Sequence, residues 1–250
     1  MLRIPPAPIG ALALLIAYLA VPWGAAPAIA QESADRNGSA AAPQQERGFV
    51  MLGVQRVDVG GLNDRLAATG YPAFPSSVIT VGGGGMGVHG GFLIGGEGHG
   101  LLGPEESTAD GAFRTRLGGG YGMFTVGRDL FPGRPGSLYP QVGVGGGAMT
   151  LRIDERSTPT FEDLLENPRR SVEISRVSFL LMGALGGDYL LGVGSAGPDG
   201  AGVAVGVRVG YMAALGQRSW SSEVGSVAGG PDLSPTGPFI RFQVGAGARP

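Results

Sequence analysis

From Gly48 onward, bulky apolar residues alternate with small or polar ones, and the alternation is interrupted at intervals by turn-forming residues. The pattern is cleanest near the end of the chain. Val203, Val205, Val207, Val209 and Tyr211 fall on one face, while Ala204, Gly206, Arg208, Gly210 and Met212 fall on the other. Ile240, Phe242, Val244 and Ala246 are likewise set against Arg241, Gln243, Gly245 and Gly247. A period of two is what a strand with unlike faces requires. Read this way, the chain predicts eight strands, over 48–59, 77–87, 92–102, 112–126, 139–153, 172–191, 202–215 and 238–248. Two stretches have a helical pattern instead. Gly61–Thr69 places Leu62 and Leu66 on one side, and Phe161–Glu166 ends before Pro168. The expected fold is all-β: a single antiparallel up-and-down β-barrel of about eight strands, with one or two short helical turns in its loops.

Two versions of such a barrel differ in which face is inside. In a membrane barrel the bulky rows meet lipid and the small and polar rows fill the lumen. In a soluble, periplasmic, lipocalin-like barrel the bulky rows would point inward around an apolar ligand. The connections favour the first. Segments 60–76, 103–111, 154–171 and 216–237 would join strands at one end, and the shorter 88–91, 127–138 and 192–201 at the other. Outer-membrane barrels have that asymmetry, with short turns on the periplasmic side. Ser178-Phe179-Leu180-Leu181-Met182 is apolar on both faces, as a strand buried on both sides would be.

The first thirty residues have another character. Arg3 precedes an apolar stretch from Ile9 to Val21, and the segment closes on Ala28-Ile29-Ala30. This is the form of a cleavable signal peptide, with cleavage expected before Gln31. The apolar stretch is too short to span a bilayer, which takes about 20 residues. Polar residues 31–47 have little to bury and read as a flexible linker. The expected organisation is therefore a signal peptide (1–30), a linker (31–47) and a β-barrel domain (48–250).

Composition narrows the function classes. Glycine makes up 49 of 250 residues, without the three-residue period of collagen, and is interleaved with Val, Leu, Ile and aromatics. All 18 basic residues are arginine, and a net charge of −2 leaves no basic footprint for nucleic acid. The absence of cysteine removes thiol chemistry, disulfides and thiolate metal sites together.

Several runs carry a resemblance: Val81-Gly-Gly-Gly-Gly-Met86, Phe92-Leu-Ile-Gly-Gly-Glu-Gly-His99, Tyr139-Pro-Gln-Val-Gly-Val-Gly-Gly-Gly-Ala148 and Gly237-Pro-Phe-Ile-Arg241. Over residues 48–250 the chain resembles small, glycine-rich bacterial outer-membrane β-barrel proteins. The resemblance implies an eight-stranded, OmpX- or OmpA-like barrel in the outer membrane and no particular activity. The chain departs from that pattern at its last residues, Gly247-Ala248-Arg249-Pro250, where most such barrels carry an aromatic.

Candidate chemistry is sparse. Gly82–Gly87 lacks the lysine and hydroxyl of a phosphate loop and is followed by Val88 and His89. Glu97 and His99 share a strand face; with His89 they could form a zinc set, but a hydrogen-bonded pair in the lumen is the simpler reading. Arg208 and Arg241 lie on the small-residue face, Arg114 and Arg116 share a face, and buried arginines require acids such as Glu97, Glu173 or Asp188. The expected lumen network is Glu97, His99, Arg114, Arg116, Glu173, Arg208 and Arg241, closing a barrel with little interior room. No catalytic motif and no cofactor are expected. The expected partners are outer-membrane lipid and an external molecule met through the long loops, where Trp220 and Phe161 are the candidate contacts.

Overall fold

The computed structural model describes residues 45–132, 136–156, 160–166, 171–192, 201–217, 219–222 and 225–248. The expected signal peptide and all but the last three residues of the expected linker lie outside them. Among the described residues, eight long strands run antiparallel in sequence order: β1 (Gln45–Arg56), β2 (Ser77–His89), β3 (Phe92–Ser107), β4 (Phe113–Arg128), β5 (Gly136–Glu155), β6 (Ser171–Gly192), β7 (Ala201–Gln217) and β10 (Gly237–Ala248). The pairing β5-β4-β3-β2-β1-β10-β7-β6 is closed by β5 against β6. The result is an up-and-down barrel. Two short strands, β8 (Trp220–Ser222) and β9 (Gly225–Val227), extend β6 as a small side sheet. Helix α1 (Gly60–Ala68) and helix α2 (Phe161–Glu166) occupy the two stretches that read as helical.

The expected linker gives way at its end. Gln45–Arg47 already pair with Val88–Met86, and Arg47 also faces Gly247. Polar residues are at home there because this is the mouth of the barrel.

Segments 57–76 and 108–112, helix α2 and the described part of the β7–β10 connection lie at one end of the barrel. The start of β1, the end of β10 and segments 90–91 and 129–132 lie at the other. The tightest of these is Gly90-Gly91, with φ of 57° and 81°, the left-handed pair that a two-residue hairpin needs. At the long-loop end, the Thr108 hydroxyl and the Ala112 N–H hold the exposed Asp110 carboxyl below the usual carboxylate range.

The bulky rows face outward. Val50, Leu52, Val142, Phe124 and Phe242 are all more than half exposed, at 54–64%. Val203, Val205, Val207, Val209 and Tyr211 line the same outer wall. The soluble-barrel alternative needed these rows inside, so the register runs against it. No described helix is long and apolar enough to cross a membrane; the strands form the apolar wall.

The interior is stratified along the barrel axis. Its long-loop half is apolar: Leu101, Leu117, Met123, Met149, Leu151, Leu180, Met182, Met212 and Phe239 pack together. Leu62 and Leu66 of α1, together with Phe74, Trp220 and Leu233, close the cluster from above. This explains the doubly apolar run in β6. Phe179 and Leu181 face outward, while Leu180 and Met182 enter the plug. The cap is tied down by polar pairs. Asn63 donates to and accepts from the Phe74 backbone at 2.9 Å each way. Trp220 Nε1 donates to Pro231 O at 2.8 Å.

Val207 sits on the outer face between the lumen residues Gly206 and Arg208. Val207→Arg is expected to cost about 2–4 kcal/mol at mid-bilayer depth. Urea titration of the barrel refolded into lipid vesicles measures it; an unchanged midpoint would contradict a lipid-facing position.

Candidate functional site

The middle of the lumen holds a buried charged cluster. β7 and β10 place Arg208 and Arg241 directly opposite one another, both with no exposed surface. From across the barrel, β3 supplies Glu97 and His99, each 4% exposed. Glu97 lies between the two guanidiniums: Arg241 Nη1 donates to its Oε1 at 3.1 Å, and Arg208 Nη1 donates to its Oε2. His99 Nε2 is 3.3 Å from the same Oε1.

A second tier of hydrogen bonds surrounds this cluster. Arg241 also donates to Tyr121 Oη, and Tyr121 donates in turn to Gln55 Oε1 at 3.1 Å. Gln55 Nε2 reaches the cap at Pro235 O, 2.6 Å away. On the other side, Gln243 donates to Tyr139 Oη at 2.8 Å and to Asp188. The arginines also stack on rings. Arg241 lies 3.7 Å from the Phe239 centroid, and Arg208 lies 5.4 Å from that of Phe49. Glu97 and Asp188 thus offset two guanidiniums whose burial alone would be prohibitive.

Glycine makes the space for these groups. A Cβ at Gly82 would intrude on the His99 ring, one at Gly186 on the Tyr139 ring, and one at Gly206 on the Asp188 carboxylate. At Gly53 it would lie 2.8 Å from Arg241 Cγ, and at Gly147 2.6 Å from Tyr121 Cβ. Each of these large lumen side chains therefore lies over a glycine of a neighbouring strand. Outward glycines differ. Gly98, Gly122 and Gly146 form a row across β3–β5, where a Cβ would meet nothing closer than 3.7 Å.

Of the seven residues expected in the lumen, Glu97, His99, Arg208 and Arg241 come together there. Arg114, Arg116 and Glu173 do not. Their neighbours Thr115 and Leu117 are buried, so strand parity sends Arg114 and Arg116 outward, above the apolar band. There both arginines pair with Glu105, whose side chain is 34% exposed. Glu173, 54% exposed, faces Arg152. Trp220, expected as a loop contact, is 2% exposed and belongs to the cap. Phe161 is 70% exposed at the long-loop end, and Leu165 beside it 69%. His89 is exposed near the hairpin Gly90-Gly91, away from Glu97 and His99, and no metal-binding group of three occurs among the described residues. Tyr121, Tyr139 and Gln55 were not singled out from the sequence. The signal for Tyr121 was available: a lone ring among glycines on the inward parity of β4.

A closed strand wall that is apolar outside and charged within is inverted relative to a water-soluble protein. It defines a small β-barrel protein of the outer-membrane type. Solved structures similar to the chain include Ail, the attachment invasion locus protein of Yersinia pestis, at 11% identity and a TM-score of 0.39, covering 82% of this chain and 96% of that one. Neisserial surface protein A gives 8% identity and 0.39, over 82% and 96%. A major outer membrane protein of Thermus thermophilus gives 10% and 0.38, over 82% and 99%. Ail has also been solved with the heparin analogue sucrose octasulfate. No protein-family model matches the chain, and no curated protein matches it in sequence.

Glu97→Gln would leave two buried guanidiniums without their shared carboxylate. The expected cost is about 3–5 kcal/mol, read from the urea midpoint of the lipid-embedded barrel. The glycine positions divide in the same assay. Gly145→Ala drives a Cβ into the Gly122 backbone carbonyl and is expected to cost about 1–3 kcal/mol, whereas Gly98→Ala, with 3.8 Å of clearance, is expected to be tolerated.

Proposed function

We propose that this protein is a non-catalytic outer-membrane barrel with a sealed lumen, whose specific role is carried by its long-loop end. The observation that supports this reading most is the filled interior. Mid-lumen is occupied by the Glu97–Arg208–Arg241 cluster, the outer half by apolar side chains, and the top by the cap of α1, Trp220 and Leu233. A barrel filled this way conducts no solute; its contribution is mechanical and adhesive. Among the described residues, nothing in the lumen pairs a nucleophile with a base beside space for a substrate. The carboxylate and the histidine are spent on guanidiniums and on each other.

The long-loop end offers what a partner would need. The wall of β3–β6 rises above the apolar band, bearing Glu105, Arg114, Arg116, Arg152 and Glu173 outside. Phe161 and Leu165 project from α2 at the same end. Rigid scaffolds present contacts on loops in this manner. In this reading the start of β1, the end of β10 and the hairpin Gly90-Gly91 face the periplasm, and the segments that carry α1, α2 and Trp220 face outward from the cell.

An epitope inserted after Gly229, an exposed turn glycine with φ of 73°, tests the topology. Antibody labelling of intact cells is expected. Labelling only after permeabilisation of the outer membrane would reverse the orientation and remove the external-partner reading.

A further inference from the structure

The lumen has two unlike ends. Toward the long loops, apolar side chains and the cap fill it. At the other end, where β1 begins and β10 ends, lies a narrow cleft of about 10 Å³, bordered by Arg47, Phe49, Met86, Asp188, Ala204 and Gln243. That is just room for one water. Arg47 Nη1 and Asp188 Oδ2 span the mouth at 3.8 Å, with side chains 17% and 7% exposed. Gln243 is 4% exposed, and its Oε1 accepts no hydrogen bond among the described residues. An orphaned buried carbonyl beside a cleft of this size calls for a small donor. Behind Gln243 the polar groups continue without a break through Tyr139 and Arg208 to Glu97. From Glu97 a second branch passes through Arg241, Tyr121 and Gln55 and ends on the cap at Pro235 O, with the apolar cluster packed around it.

We propose that water enters the lumen from the end where β1 begins and β10 ends, and not from the capped end. The Arg47–Asp188 ion pair is the latch on that entrance, and Gln243 is the first group reached. Naming that end periplasmic rests on the topology proposed above; the latch does not.

The chain has no cysteine, so single cysteines report cleanly. Ala204→Cys places a thiol in the cleft. Ser178→Cys places one in the apolar half, where Ser178 is 2% exposed. The probe is methanethiosulfonate ethylammonium, applied to the full barrel folded in detergent, with heat-modifiable gel mobility as the folding control. Ala204→Cys is expected to react, and Ser178→Cys to stay protected. Arg47→Ala is expected to speed the reaction at Ala204→Cys about two- to fivefold, the equilibrium weight of a partly exposed ion pair, and to leave Ser178→Cys unchanged. Asp188→Asn, which retains an acceptor for Gln243, is expected to do the same and covers the case in which Arg47→Ala folds poorly. An inert Ala204→Cys, equal rates at the two thiols, or a rate indifferent to both latch variants would overturn the proposal. In cells, Ala204→Cys is expected to label only after permeabilisation and Gly229→Cys without it. The reverse pattern would sink the topology while leaving the latch result standing.

Discussion

In lipid, a strand has no water to receive an unpaired N–H or C=O, so a sheet survives there only if it has no edge. Here the ring closes where β5 meets β6 in register from Gly136↔Tyr189 to Asp154↔Ser171, the longest pairing in the wall. Closing on eight strands fixes the girth, and that girth leaves room for little beyond the barrel's own side chains. Much of the unusual composition follows from this single constraint. Rings and guanidiniums that cross so narrow a space need a neighbouring strand with no side chain, which is why His99 lies over Gly82 and Tyr139 over Gly186. The glycine content reflects the density of large groups in the lumen rather than any looseness of the chain.

Within that space Glu97 is the hub. It holds guanidiniums from two adjacent strands and the imidazole of its own, so β3 is bound to β7 and β10 across the barrel as well as around it. The wall's backbone ladder fixes neighbours; the cluster fixes opposites. Tyr121 and Gln55 extend the connection to the cap at Pro235, so the charged middle and the closed outer end form one continuous structure.

Most of the architecture was legible in the alternating pattern. The eight strands, both helices, the outward valines of β7 and the inward pair Arg208 and Arg241 follow from period and parity alone. The outward placement of Arg114, Arg116 and Glu173 was not recoverable in the same way, because small and polar residues mark the interior only within the lipid band. Above that band the outer face turns polar too, and the alternation loses its sign. Trp220 was misplaced for a related reason. A tryptophan in a loop reads as surface when nothing in the sequence shows that the loop folds back over the barrel mouth. Tyr139 and Gln55 needed the cross-barrel geometry, which no local spacing encodes.

The position of Trp220 has a practical side. The sequence contains two tryptophans, Trp23 and Trp220, and Trp220, in the cap, is the only indole among the described residues. Its ring is 2% exposed, and its N–H is bound to Pro231. It sits in the outer closure and not in the strand wall, so its emission reports the docking of the loops, while far-ultraviolet circular dichroism reports the strands. In a chain that begins at Gln31, any lag between the two signals during refolding separates completion of the wall from closure of the cap, with no added label.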